Sequence, residues 1–236
     1  GSSCPYGLLE SSPIAVDKNG NVFETAFNSH YGSSLDTLKC TFGPFTTVDS
    51  ENTGFQSILV STDSNGVYRW VIASQNCQGE FFKVATDTFG NVYLLGEAYT
   101  LPFYFGTTSF YGNYFCIKVD AAGNVLWIKH FPPSNQLQVS KSGNLYVIGI
   151  FASPTLTIGT ITLYNAGISS LDIFLAKFDS SGAPLWAKSI GGGGTELVTA
   201  FSISDDTEIY VGGTYSSPSL IIGPDTLTTP GPTKLF

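Results

Sequence analysis

Apolar and polar residues alternate in short runs along the whole chain, and turns bearing Asp, Asn and Gly separate the runs. Alternation with a period of two predicts strands with one face buried. In the clearest copy the runs are Gln136 to Ser140, Leu145 to Phe151, Asp172 to Phe178 and Pro184 to Ile190. They form a unit of strands a, b, c and d, with a tight turn between a and b and another between c and d. A longer loop joins b to c, and almost no helix is expected.

The turns repeat. Asp63 to Trp70, Asp120 to Trp127 and Asp179 to Trp186 all read D-x-x-G-x-x-x-W and use every Trp in the chain, with Gly66, Gly123 and Gly182 as the turn glycines. A second pattern interleaves with the first, at Asp17 to Phe23 with Gly20, Asp87 to Tyr93 with Gly90, and Ser140 to Tyr146 with Gly143. A degenerate fourth copy runs from Ser204 through Asp205, Asp206 and Glu208 to Tyr210. The Asp side chain can accept a backbone N–H two residues on, and Gly supplies the left-handed conformation that returns the chain. A small residue recurs six positions after the a–b turn glycine, at Ala26, Gly96, Gly149 and, by alignment, Gly213, where close backbone approach is expected. Phe105-Gly106, Ile158-Gly159 and Ile222-Gly223, with the looser Phe42-Gly43, mark an extra short hairpin in the b–c loop.

Four-stranded antiparallel units at this spacing predict an all-β β-propeller. Residues 1–13 form an N-terminal segment, followed by blade repeats at 14–79, 80–134 and 135–197 and a partial fourth at 198–236. Trp70, Trp127 and Trp186 are expected to fill the space between neighbouring blades. The fourth repeat stops at Thr233-Lys-Leu-Phe236, set against Asp172-Ile-Phe-Leu175 of the third. Three repeats and a part do not close a ring. The polypeptide is therefore expected to continue past Phe236, or other chains to complete the open sheets.

The runs from Asp87 to Gly96 and from Asp172 to Gly192 resemble the bacterial β-propeller repeat family, the SBBP type of secreted proteins of Bacteroidetes and other bacteria. The resemblance spans roughly residues 13–236. It implies export to the cell surface, and it brings no catalytic residue to carry over.

Composition agrees with β-structure. Of 236 residues, 14% are aromatic and 12% charged, with 26 Gly and 12 Pro. The net charge is −8, and nine of the ten basic residues are scattered Lys, Arg69 being the exception. Nucleic acid and anionic membranes demand clustered cations, so neither is expected as a partner. No apolar run reaches a membrane span. The first residues, Gly1-Ser2-Ser3, carry no signal sequence, which reads as a processed or trimmed chain. Four cysteines, Cys4, Cys40, Cys77 and Cys116, suit a secreted protein with up to two disulfides. Sequence leaves the pairing open between Cys4 with Cys77, Cys116 with Cys40, and Cys116 as a buried thiol.

Candidate chemistry is sparse. Each D-x-x-G turn brings one carboxylate, whereas a calcium loop gathers several, so a turn role is expected and no metal or cofactor. Asp205, Asp206 and Glu208 read as a solvated turn. His30 and His130 lie in no catalytic motif, and Gly191 to Gly194 lacks the Lys-Ser/Thr of a phosphate loop, reading instead as a flexible connector. The spacing also departs from the Asp boxes of sialidases and from quinoprotein blades. Tyr99, Phe103, Tyr104, Phe110, Tyr111 and Tyr114 are divided between packing and a contact surface for carbohydrate or protein. The expectation is an extracellular or cell-surface, non-enzymatic adhesion, scaffold or binding module. The alternatives are a subunit of a surface assembly paired through edge strands, and the propeller part of a secreted hydrolase or quinoprotein.

Overall fold

The computed structural model describes residues 2–3, 13–29, 38–49, 55–167, 170–204, 206–228 and 233–236. Every regular element among them is a strand. The chain divides into two compact units, 1–130 and 131–236.

The first unit holds β1 (Ser2–Ser3), β2 (Ile14–Val16), β3 (Val22–Ser29), β4 (Leu38–Phe42), β5 (Phe45–Asp49), β6 (Phe55–Thr62) and β7 (Tyr68–Ala73). It continues with β8 (Gly79–Thr86), β9 (Val92–Ala98), β10 (Phe103–Phe105), β11 (Thr108–Phe110), β12 (Tyr114–Val119) and β13 (Val125–His130). Two antiparallel four-stranded sheets result, β2-β3-β6-β7 and β8-β9-β12-β13, each a simple a-b-c-d meander. The hairpins β4–β5 and β10–β11 interrupt their b–c connections.

The second unit holds β14 (Gln136–Val139), β15 (Leu145–Phe151), β16 (Thr155–Ile158), β17 (Ile161–Tyr164), β18 (Asp172–Phe178) and β19 (Pro184–Gly191). It continues with β20 (Glu196–Ser204), β21 (Glu208–Tyr215), β22 (Leu220–Ile222), β23 (Asp225–Leu227) and β24 (Lys234–Leu235). Strands β14-β15-β18-β19 form a third meander, extended at its outer edge by the hairpin β22–β23, and β20-β21-β24 form a three-stranded sheet. Antiparallel sheets of two to six strands thus account for the described fold.

The extra hairpins tie successive sheets together. Phe105 of β10 bridges Ser74, just after β7, and the Gly106 N–H donates to the Ala73 carbonyl at 3.5 Å. A Cβ on Gly106 would meet both Ile72 of the first sheet and Val125 of the second. In the second unit β22 pairs with β19 in the same manner, Ile190 opposite Ile222.

A repeated bulge explains the seven-residue spacing from Asp to Trp. Pairing slips between Ser61 and Thr62, between Lys118 and Val119, and between Lys177 and Phe178, leaving Arg69, Leu126 and Leu185 as the extra residues before each Trp. A one-residue slip turns every later side chain to the other face. It places Trp70 opposite Ser61 and Phe23, Trp127 opposite Lys118 and Tyr93, and Trp186 opposite Lys177 and Tyr146. Each of these three sheets therefore carries one transverse row of aromatic residue, middle residue and Trp.

The first core joins both sheets of its unit, with Phe23, Leu59 and Trp70 meeting Phe81, Leu94, Phe105 and Phe115. The second does the same with Tyr146, Ile148, Ile173 and Leu175 against Phe201, Tyr215 and Leu220.

Two expectations need correction. In β24 the register puts Lys234, not Thr233, at the place of Asp172, because Gly213 exchanges backbone hydrogen bonds with Phe236 as Gly149 pairs with Phe174. The residue left facing out is Leu235. The expected pairing of Cys77 does not form, for Cys77 is a buried free thiol, and of the two readings of Cys116 the buried thiol is the one found. Cys77 instead accepts the Tyr104 N–H at 3.2 Å and donates to the Tyr104 carbonyl at 3.4 Å, holding the root of the β10–β11 hairpin. Cys116 is enclosed within β12, and burial pushes its thiol well above the ordinary range. Cys40 is buried in β4, and Cys4 lies outside the described residues.

The recurring small residue has a steric cause. A Cβ on Gly96 would lie 2.4 Å from the Glu80 carbonyl oxygen and 2.7 Å from the Phe115 ring, while one on Gly193 would meet nothing within 4 Å. Gly96→Val is expected to cost about 2–4 kcal/mol in urea unfolding, against within about 0.5 kcal/mol for Gly193→Ala.

Candidate functional site

Five turns spend their carboxylates on the backbone. Oδ1 of Asp17 accepts the N–H groups of Asn19 and Asn21 at 2.8 and 2.9 Å, and Oδ2 accepts the Asn21 side-chain amide at 2.7 Å. Asp87 and Asp120 repeat this arrangement with Asn91 and Asn124. Asp63 and Asp179 collect backbone N–H groups in the same way, through Val67 and Ala183 among others, and Asp179 also accepts the Ser181 hydroxyl at 2.6 Å. Gly20, Gly66, Gly90, Gly123, Gly143 and Gly182 all have φ between 77° and 90°, the left-handed region that glycine tolerates best. Partial burial alone would raise the carboxyls of Asp17 and Asp120, but the Asn side chains and backbone N–H groups outweigh it and hold both below the usual range. These are turn-forming carboxylates, and no cluster of three metal-ligating side chains occurs among the described residues.

The third unit lacks the Asp, and another sheet supplies one. Ser140 stands in its place, and Asp206, from the β20–β21 turn, reaches across to accept hydrogen bonds from Ser142, Asn144 (3.0 Å) and Tyr146 (2.8 Å). It also pairs with Lys177 at 2.9 Å. In the second sheet the corresponding tyrosine, Tyr93, bonds instead to Asp87 of its own turn at 3.1 Å. Asp206 is thus exposed, as expected of a solvated turn, but it also ties its turn to the neighbouring sheet, which was not expected. Though burial opposes it, hydrogen bonds from Ser142, Asn144, Lys177 and Tyr146 hold its carboxyl far below the ordinary range. Asp205 lies outside the described residues.

The three Trp residues differ in what covers them. Trp70 is buried, donates from Nε1 to the Ala121 carbonyl at 3.1 Å, and lies so close to Gly123 that a Cβ there would stand 2.9 Å from the indole. The c–d turn of the second sheet thus caps the Trp of the first. Trp127 packs on Tyr93 with ring centroids 6.2 Å apart, and Lys129 lies 5.7 Å from its ring. Trp186 packs on Tyr146 at 6.1 Å and lines a cleft of about 390 Å³ with Ile190, Ile209, Val211 and Phe236.

Gly191 to Gly194 is not the flexible connector expected. A Cβ on Gly191 would stand 2.2 Å from the Asp172 carboxyl, and one on Gly192 would be 2.3 Å from the Ser219 carbonyl oxygen. The backbone folds tightly around two wholly buried acids, Asp172 and Glu196. Asp172 accepts the Ala166 N–H at 2.7 Å, and Glu196 accepts the Gly192 N–H at 3.0 Å and the Ser217 hydroxyl. Burial pushes both carboxyls up, and the charge of Asp172 raises Glu196 further. The pair lies buried between strands from two sheets, out of reach of any substrate. Nothing in the sequence pattern marks Glu196, which occupies the place of Gly79 in the second sheet; the glycine run beside it is the sole signal.

The loop aromatics separate cleanly. Phe103 and Phe110 are core, with Phe103 stacked on Phe115 at 4.7 Å, while Tyr99, Tyr104 and Tyr111 are exposed, Tyr111 by 75%. Tyr99 and Tyr114 stand beside two acids that the sequence reading passed over. Glu80 and Glu97 are directly opposite each other on β8 and β9, an arrangement that repels. Tyr99 donates its hydroxyl to Glu80 and Tyr114 donates to Glu97; burial and these bonds together raise both phenols. The result is two carboxylates flanked by two tyrosines where β8 begins and β9 ends. His130 is exposed at the end of β13, and His30 lies outside the described residues.

Asp206→Ala should cost about 1–2 kcal/mol at neutral pH, since four partners lose a half-exposed acceptor. Its carboxyl is depressed on folding, so its contribution is present above about pH 4 and is lost as pH falls. The gap between variant and native chain in urea titrations should therefore close in acid. Glu196 has the opposite sign, its raised carboxyl favouring the fold below about pH 4 and less as pH rises. Glu196→Gln should accordingly gain on the native chain between about pH 4 and pH 8.

No family model matches the chain, and neither does any curated protein. A solved structure described as the crystal structure of the eukaryotic initiation factor is similar over 78% of this chain and 55% of that one, with 12% identity and a TM-score of 0.30. The chain spans about half of that protein's length, and a likeness so low supports no reading of fold or function.

Proposed function

We propose that the sheets are blades of a β-propeller of the secreted, SBBP-like kind, serving at the cell surface as a non-enzymatic module that binds carbohydrate or protein. The observation that carries this reading is the tyrosine-flanked acid pair of Tyr99, Glu80, Glu97 and Tyr114. The turn carboxylates serve the framework, whereas these groups stand at the chain surface. Tyrosine rings offer a flat apolar face to a sugar's C–H groups, and paired carboxylates accept its hydroxyls. The repeated a-b-c-d meander, with hairpins joining one sheet to the next, supports the propeller architecture.

A glycan array probed with this chain tests the proposal. A neutral oligosaccharide should bind, and Tyr99→Ala together with Tyr114→Ala should weaken it about tenfold or more while thermal stability changes little. Retention of binding by the double variant would remove this surface from the account. Failure of the native chain to bind any glycan or surface protein would overturn the binding function.

A further inference from the structure

The joint of the first and second sheets and the joint of the third and fourth occupy the same place in the repeat and differ in charge. At the first, Gln56 accepts the Thr47 hydroxyl at 2.9 Å and donates to the Ser74 carbonyl at 3.2 Å, while the Ser57 hydroxyl donates to the Gly79 carbonyl. The register makes Asp172 the counterpart of Gln56, since each lies two residues before the partner of the recurring small residue, Ile58 opposite Ala26 and Phe174 opposite Gly149. Glu196 is likewise the counterpart of Gly79, the partners of Gly213 and Gly96 being Val198 and Phe81. An amide and a glycine therefore close one joint, and two acids close the other.

Asp172 and Glu196 are wholly buried, and their carboxyl groups lie within hydrogen-bonding reach of each other. Their neighbours donate to them: the Ala166 N–H at 2.7 Å and the Ser170 hydroxyl at 3.4 Å to Asp172, the Gly192 N–H at 3.0 Å and the Ser217 hydroxyl to Glu196. The other titratable groups facing the joint are Tyr215 of β21, opposite Glu196, and Lys234 of β24, which donates to the Ser217 carbonyl and stands 5.0 Å from the Tyr215 ring centroid. Phe151 of β15 and the segments 165–167 and 191–195 bring no charge. Two ionised carboxylates side by side in this setting repel, whereas a carboxyl that keeps its proton donates to its neighbour. Around the pair the Leu171 N–H donates to the Gly194 carbonyl at 3.3 Å, the Glu196 N–H to the Leu171 carbonyl at 2.8 Å and the Ser216 N–H to the Thr195 carbonyl at 3.0 Å.

We propose that Asp172 and Glu196 share one proton that clasps the third sheet to the fourth, and that its loss opens this joint while the joint of the first two sheets stays closed. The step is an acid dissociation: the O–H bond between the two carboxyls breaks, the proton passes to water or hydroxide, and no other covalent bond changes. Adjacent buried anions then draw water in, and the segment 191–195 parts from Leu171 and Ser216. Burial pushes both carboxyls up, so the clasp holds in acid and is released as pH rises above the ordinary carboxylate range. The clasp lies apart from Tyr99, Glu80, Glu97 and Tyr114 and does not depend on what they bind.

The test is residue-resolved hydrogen exchange on the native chain between about pH 5 and pH 9, each amide expressed as protection over its intrinsic rate. Protection at Leu171, Glu196 and Ser216 should fall about tenfold or more across that range. Gln75 and Gly106, whose N–H groups donate to the Tyr104 and Ala73 carbonyls across the first joint, should show no such fall. Infrared spectra at about pH 6, where ordinary carboxyls are ionised, should contain the C=O stretch of a protonated carboxyl. The double variant Asp172→Asn with Glu196→Gln, which puts amides where Gln56 already serves, should lack that band and the pH dependence. Unchanged protection at Leu171, Glu196 and Ser216, an equal fall at Gln75 and Gly106, absence of the band from the native chain, or a fall that persists in the double variant would overturn the proposal. The readings on the native chain stand whether or not the variant folds.

Discussion

A sheet with one apolar face is unstable until something covers that face, and here the cover is the turn of the neighbouring sheet. The contact of Trp70 with Ala121 and Gly123 shows the requirement in its smallest form. The indole needs a flat apolar partner for its ring and an acceptor for its N–H. A c–d turn provides both only if its glycine brings the backbone close. The bulge before each Trp follows from the same need, since without the slip at Arg69 the indole would turn to the opposite face. At Trp70, motif spacing, turn chemistry and sheet packing thus meet in one joint.

The carboxylates follow a related economy. An acid at the mouth of a hairpin is stabilised by the N–H groups it collects, and Asp17, Asp87 and Asp120 collect them from their own turns. Where the third sheet has lost its acid, Asp206 arrives from the next sheet and a local turn device becomes an inter-sheet bond. Asp172 and Glu196 carry the idea further, as backbone N–H groups of Ala166 and Gly192 let two buried acids bind strands together. The surface acids Glu80 and Glu97 are the exception. Tyrosine hydroxyls answer them rather than backbone.

Much of this was legible in the chain. The four strands of the third unit, the left-handed glycines and the extra hairpins were read from alternation and turn residues, because hairpins are local and their chemistry lies within a few residues. Errors arose where the determining contact was distant. The inter-sheet role of exposed Asp206 was missed because its partners Asn144, Tyr146 and Lys177 are far away in sequence. Gly191 to Gly194 read as loose because no local pattern shows that Asp172, Ser217 and Ser219 press against it. Cys77 read as a disulfide half because parity of cysteines says nothing of a thiol bound to the Tyr104 backbone.

The sequence by itself determined the antiparallel strands, the turn types and the recurrence of the Asp-Gly-Trp unit, since each depends on backbone preferences and the period of apolar residues. Only the tertiary structure decided which sheet supplies an acid to which, and which aromatics are core and which are exposed. Those outcomes depend on side chains brought together from distant positions, and burial and desolvation act on neighbours in space whatever their order along the chain.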